Sequence, residues 1–242
     1  VLVRFSQWSI TPPEAGIVGP WTGVPKDRWA SSLSQEQYIA GVRRIHEYVA
    51  SGEVYQVNLC RVLEADIERS DDIVALHRAL AVGNPAPYSS MMSVPDVDLH
   101  VACASPELFL RREGNFLSSG PIKGTAASSG LLLDKDLAEN VMIVDLVRND
   151  LSRVARTGSV RVPDLLRIEE HPGLVHLVSD VQCGLAEGTQ WSEIVDATFP
   201  PGSVTGAPKS SALRIIDECE TAPRDVYCGA VGWLDADRQA AE

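Results

Sequence analysis

Apolar residues recur at helical spacing in "SQEQYIAGVRRIHEYVASG", where Tyr38, Val42, Ile45 and Val49 fall three to four positions apart. Ser34 and Gln37 have the capping-box spacing at its start, so a helix is predicted from Ser34 to Gly52. "VYQVNLCRVLEADI" then reads as one strand and "DDIVALHRAL" as a short helix. The pieces "YSSMMSV", "LHVACAS", "LFLRREG" and "NFLSSGPI" are strand-like, and their spacing predicts antiparallel pairing. "KDLAENVMIVDLVRNDLSRVA" is the strongest helix, apolar enough in its middle to predict burial over much of its circumference. "GSVRVPDLLRIEEHPGLVHLVSDVQCGL" reads as two strands, and "WSEIVDATF", "PPGSVTGAPK" and "SSALRIIDECE" as helix, glycine loop and helix. "VYCGAVGWLDADRQAAE" opens a new strand pair.

Strands come in clusters separated by helices, without strict alternation. The pattern predicts an α+β fold, a layered β-sheet sandwich with surrounding helices, rather than a doubly wound sheet. Residues 1–33 are rich in Pro and Gly and read as a linker or the remnant of an upstream domain; residues 34–242 form the domain proper. The net charge of −12 argues against a nucleic-acid groove but leaves a small anionic substrate open. No apolar run is long enough to span a bilayer, and no signal-peptide pattern opens the chain. The five cysteines (Cys60, Cys103, Cys183, Cys219 and Cys228) are odd in number and lack a C-x-x-C pair. A disulfide scaffold or structural zinc is poorly supported, and a reducing, cytoplasmic setting is expected.

Several residues carry possible chemistry, each beside a plainer reading. Lys123 in "GPIKGT" is a solvated turn lysine or a nucleophile, which would have to be uncharged to attack. Glu107 in "ASPELFL" is a strand-edge acid facing water or a carboxylic acid kept protonated as a proton donor. Glu139, Ile143, Leu146 and Asp150 fall on one helical stripe, so Glu139 is a salt-bridge partner or a ligand for a hard cation such as Mg²⁺. "GSVTGAPKS" departs from a P-loop because Pro208 precedes Lys209 where Gly is needed, which argues against nucleotide hydrolysis. It is a plain connection or a loop offering backbone N–H groups to a carboxylate. His176 is a core histidine or a site residue; five positions from His171, it would share no helical face with it.

Six stretches, "GEVYQVNLCR", "ASPELFL", "GPIKGT", "AENVMIVDLVRNDLSRV", "HLVSDV" and "FPPGSVTGAPKS", resemble in content and order the chorismate-utilising enzyme family. Within it the likeness is greatest to the aminodeoxychorismate synthase component I branch. The resemblance implies an anthranilate synthase component I-like fold, Mg²⁺ as cofactor at Glu139, Glu107 as acid for the departing C4 hydroxyl, and Lys123 as nucleophile at C2. It also implies substrate contacts from Gln56, Thr205, Gly206 and Tyr227, with His176 beside the ring. Gln56 stands where water-adding members carry a lysine base, and Lys123 where anthranilate synthases carry a small residue. The implied reaction converts chorismate and ammonia to 4-amino-4-deoxychorismate for 4-aminobenzoate and folate biosynthesis, the ammonia coming from a glutamine amidotransferase partner. The implied alternatives are an anthranilate synthase component I or a non-catalytic chorismate-binding paralogue. The family pattern continues beyond "GWLDADRQAAE", so the expectation is a domain incomplete at both ends and C-terminally truncated.

Overall fold

The computed structural model describes residues 19–67, 72–235 and 239–242. The part of the linker expectation covering residues 1–18 lies outside these. A two-residue strand, β1 (Ala30–Ser31), precedes the first helix, α1 (Gln35–Ala50). The Ser34 hydroxyl accepts from the Gln37 N–H, while the Gln37 side chain accepts from the Ser34 N–H, so the predicted capping box is present. The stretch expected as one strand over 54–67 is instead two short ones, β2 (Gln56–Val57) and β3 (Leu63–Glu64). The reason is topological: β3 pairs with β1, whereas β2 turns to a partner near residue 206.

Helix α2 (Asp72–Gly83) leads to the hairpin of β4 (Tyr88–Val94) and β5 (Leu99–Ser105). Strands β6 (Leu108–Glu113), β7 (Phe116–Gly120) and β8 (Ile122–Ala126) follow, then helix α3 (Asp134–Ser152) and the long hairpin β9 (Arg161–His171) and β10 (Leu174–Gly184). Helix α4 (Trp191–Thr198), strand β11 (Gly206–Ala207), helix α5 (Lys209–Cys219) and strands β12 (Leu234–Asp235) and β13 (Ala240–Ala241) complete the order. The main sheet has seven strands in the order β12-β13-β6-β7-β10-β8, with β9 also paired to β10. Its pairings are antiparallel, and β10 is its organiser: β7 pairs with one end, β8 with the other, and β9 along its second edge.

Leu117, Val144, Leu151, Val181, Cys183, Ile194 and Ala197 form a core shared by the sheet, α3 and α4. A second core joins Ile45 of α1, Val54 and Ile215 of α5. Helix α3 is less enclosed than its composition predicts. Asn140, Ile143, Val144, Asp150 and Leu151 are buried, while Leu137 and Val141 are exposed. Packing on one flat sheet buries one stripe of a helix, not its circumference.

Candidate functional site

Lys123 lies in β8, and its ammonium donates to the carbonyl of Ser203 at 3.2 Å. Ser203 belongs to the loop between α4 and β11, whose Gly202 has room for a Cβ only 3.1 Å from Leu146 Cδ1 of α3. Glu107, between β5 and β6, comes to the same place. Burial pushes its carboxyl pKa above the usual range, although a bond to Ser203, the charge of Lys123 and the backbone of Ile122 pull the other way. The strand-edge acid facing water is therefore not what the fold builds: Glu107 and Lys123 share one partly enclosed corner.

Gly124, next to Lys123, has φ +90, and an added Cβ would stand 3.0 Å from Asp136 Cβ and 3.2 Å from Leu177 Cβ. The absence of a side chain lets α3 press against β8 beside the lysine. Across the strand pair, His176 faces Thr125 in register, and Thr125 Oγ1 and His176 Nδ1 are 2.8 Å apart. His176 is 8% exposed, and burial, followed by the neighbouring His171, lowers its pKa. The two histidines, unable to share a helical face, sit on adjacent strands with ring centroids 4.9 Å apart.

The loop from Ser203 continues into a second group. Gly206 and Ala207 pair with Val57 and Gln56, Asn58 N–H donates to Thr205 O at 2.8 Å, and Tyr55 N–H to Ala207 O at 2.7 Å. A Cβ on Gly206 would lie 2.1 Å from the Gln56 carbonyl oxygen, so only glycine permits this approach. Thr205 is buried, its hydroxyl donating to Pro201 O at 2.9 Å. Gln56 Oε1 and Asn58 Nδ2 are buried acceptor and donor without partners among the described residues. Buried polar atoms normally find partners, so these two amides carry unused hydrogen-bonding capacity. Tyr227 is 54% exposed on a turn held by Arg224, whose guanidinium donates to Val204 O and Asn58 O, both at 2.7 Å.

Glu139 stands apart from both groups. It is exposed on α3, and no bond joins it to Lys123, Glu107 or Ser203. Of the stripe it was placed on, Ile143 and Asp150 are buried and Leu146 half-buried, but Glu139 itself is in solvent, its neighbour Asn140 being buried instead. Among the described residues no group of three or more His, Cys, Asp or Glu side chains is placed to hold a metal ion. Asp136, one turn earlier, accepts from the Leu133 N–H at 2.8 Å. Glu139 thus offers one exposed carboxylate, the donor type that a hard cation takes.

Three features escape sequence reading. Asn140 donates to Leu177 O at 2.8 Å and to Lys123 O at 3.4 Å, and accepts from the Ser179 hydroxyl at 2.6 Å. An asparagine inside an apolar helix is the signal that could have found it, because a buried amide needs partners. Lys209, noted only for failing a P-loop pattern, donates to Asp150 Oδ2 at 2.8 Å and Thr198 O at 3.2 Å. Ser203, the meeting point of Lys123 and Glu107, lies in the glycine loop already singled out, but nothing in that loop marks this residue itself. A concavity of about 290 Å³ lined by Arg111, Glu113, Phe116 and Gln182 lies away from all of these.

The family model described as chorismate binding enzyme matches residues 21–242. The chain is 37% identical over 222 residues to "Aminodeoxychorismate synthase component 1" of Bacillus subtilis, covering 85% of this chain and 46% of that protein. It is 39% identical over 219 residues to "Anthranilate synthase component 1" of Aquifex aeolicus, covering 85% and 43%. The crystal structure of anthranilate synthase component I from Streptococcus pneumoniae superposes with a TM-score of 0.77 at 29% identity, over 88% of this chain and 49% of that one. The expected anthranilate synthase component I-like α+β fold is the one found. The chain spans about half the length of the relatives it matches.

Proposed function

Because the chain belongs to the chorismate-binding enzyme family, we propose that it carries the chemistry that makes 4-amino-4-deoxychorismate from chorismate and ammonia, through a covalent bond to Lys123. What carries the reading is the convergence of Lys123 and Glu107 on Ser203, with burial favouring the protonated form of Glu107. Neutral Lys123 attacks C2, Glu107 gives its proton to the C4 hydroxyl, and water leaves as the double bond shifts. Ammonia then forms a bond at C4, and the reverse shift expels the lysine nitrogen from C2. Gln56, an amide without a basic nitrogen, does not activate water for attack.

Gln56, Thr205, Gly206 and Tyr227 border the substrate, the unpartnered amide atoms on Gln56 and Asn58 supporting that role. His176, kept neutral by burial and bonded to Thr125, lies beside the ring. Glu139 is the residue of this chain that would hold Mg²⁺, which when bound would neutralise charge at a substrate carboxylate. The ammonia comes from a partner glutamine amidotransferase, and the setting is cytoplasmic, serving 4-aminobenzoate and folate synthesis.

The similar identity to an anthranilate synthase component 1 favours a second reading with the same fold and another product. Product analysis separates the two. With chorismate, Mg²⁺ and ammonia, our reading predicts pyruvate only after a separate lyase is added. Direct release of pyruvate with anthranilate would overturn it in favour of the second.

A further inference from the structure

Cys60 follows β2, and Cys228 lies in the turn after α5, yet their Sγ atoms are 4.0 Å apart. The polar groups around Cys60 come from two segments. Its backbone N–H donates to Glu220 at 2.8 Å, Tyr227 bonds its sulfur, and Arg224 stands close by. Arg224 is itself held by Glu220, Asn58 O and Val204 O, which sets a guanidinium beside the two thiols. The remaining cysteines lack that setting. Cys183 is 1% exposed, with its thiol pushed up to about 11 by burial, and burial also raises the Cys219 thiol.

We propose that Cys60 and Cys228 form a thiol-oxidation site whose co-substrate is a peroxide and whose product is an intramolecular disulfide between the turn carrying Tyr227 and the strand end after Gln56. The Cys60 thiolate attacks one peroxide oxygen, giving a sulfenic acid and hydroxide. The Cys228 sulfur then attacks the sulfenic sulfur; its proton and the sulfenic hydroxyl leave as water. Two thiols lose two electrons and the peroxide becomes two waters. The bond from Cys228, then the Arg224 charge, bring the Cys60 thiol down to about 7, whereas Cys228 is raised, chiefly by the same bond. With its backbone N–H bonded to Glu220 and its sulfur beside Arg224 and bonded by Tyr227, Cys60 is the attacking thiol and Cys228 the resolving one. Closing 4.0 Å to a disulfide length of about 2.05 Å needs only a small approach of the turn.

The test is covalent and independent of the chorismate reading. Reduced full chain is treated with hydrogen peroxide, alkylated and mapped by peptide mass spectrometry. A linked Cys60–Cys228 peptide is expected, reversible by dithiothreitol, with Cys103, Cys183 and Cys219 still free. In Cys228→Ser, a dione probe should trap Cys60 as sulfenic acid. In Cys60→Ser, Cys228 should react about tenfold or more slowly at the same peroxide dose. Absence of the linked peptide from the wild-type chain, or equal oxidation of Cys228 in Cys60→Ser, would overturn the proposal.

Discussion

One buried amide, Asn140, donates both to the carbonyl of Leu177 and to the carbonyl of Lys123, at 2.8 and 3.4 Å. It thereby fastens α3 to β10 and β8 at the position of the candidate nucleophile. Ser179 extends the chain of bonds, donating to Asn140 at 2.6 Å and accepting from Leu166 N–H at 2.9 Å. Asn140→Leu removes the amide and strands these groups in the interior. We expect a loss of about 2–4 kcal/mol, seen as a lower urea midpoint with unchanged slope. A loss below about 0.5 kcal/mol would mean the network is not holding the helix.

Gly206 tests the approach of the substrate-side loop to β2. Gly206→Ala would drive a methyl group to 2.1 Å from the Gln56 carbonyl oxygen, so the strands must separate. A cost above about 3 kcal/mol, or failure to fold, is expected. Gly158→Ala is the control, having φ +76 but open space around it. There the cost should be only about 1 kcal/mol by the same urea titration.

Asp150 and Lys209 make a partly buried pair, with side chains 12% and 23% exposed. Burial raises the Asp150 pKa even though Lys209 opposes it. Lys209→Met leaves the carboxylate without its cation and should cost about 3 kcal/mol at neutral pH. Adding Asp150→Asn should recover much of that loss in a double-mutant cycle. Strictly additive losses would show that the pair is not coupled.

The Glu107 shift has a definite sign. Its folded pKa is raised above the ordinary 4.5, so the native state holds the proton to higher pH than the unfolded state. Its contribution is fully present below that ordinary value and is lost as pH rises through the folded pKa. Glu107→Gln, which stays neutral, should therefore match the wild type at about pH 4 and exceed it in stability at about pH 8. Urea midpoints at the two pH values decide the matter. The same variant should lose about 10²–10⁴-fold in turnover, because it cannot donate the proton.

Much of this architecture was legible in particular residues. Ser34 and Gln37 announced α1, and the strand pieces from Tyr88 to Gly120 formed two antiparallel hairpins, β4 with β5 and β6 with β7, although in separate sheets. Local patterns carry such contacts because the partners are close along the chain. The 54–67 stretch misled because its apolar residues read as one continuous run, while its two pairing partners, near residues 30 and 206, are distant. On α3 the expected stripe holds at Ile143 and Asp150, which are buried, and fails only at its first member: Glu139 is exposed, and its neighbour Asn140 is buried instead. The meeting of Lys123 with Glu107 at Ser203 depends on a loop 80 residues further on, which no periodicity encodes.

The central claim rests on the Lys123 nitrogen becoming bonded to the substrate ring. Peptide mass spectrometry of the full chain, incubated with chorismate and Mg²⁺ without ammonia, tests it most directly. A chorismate-derived adduct is expected on the Lys123 peptide, absent from Lys123→Ala and discharged when ammonia is added. No adduct in the wild type, together with undiminished ammonia-dependent turnover by Lys123→Ala, would contradict it.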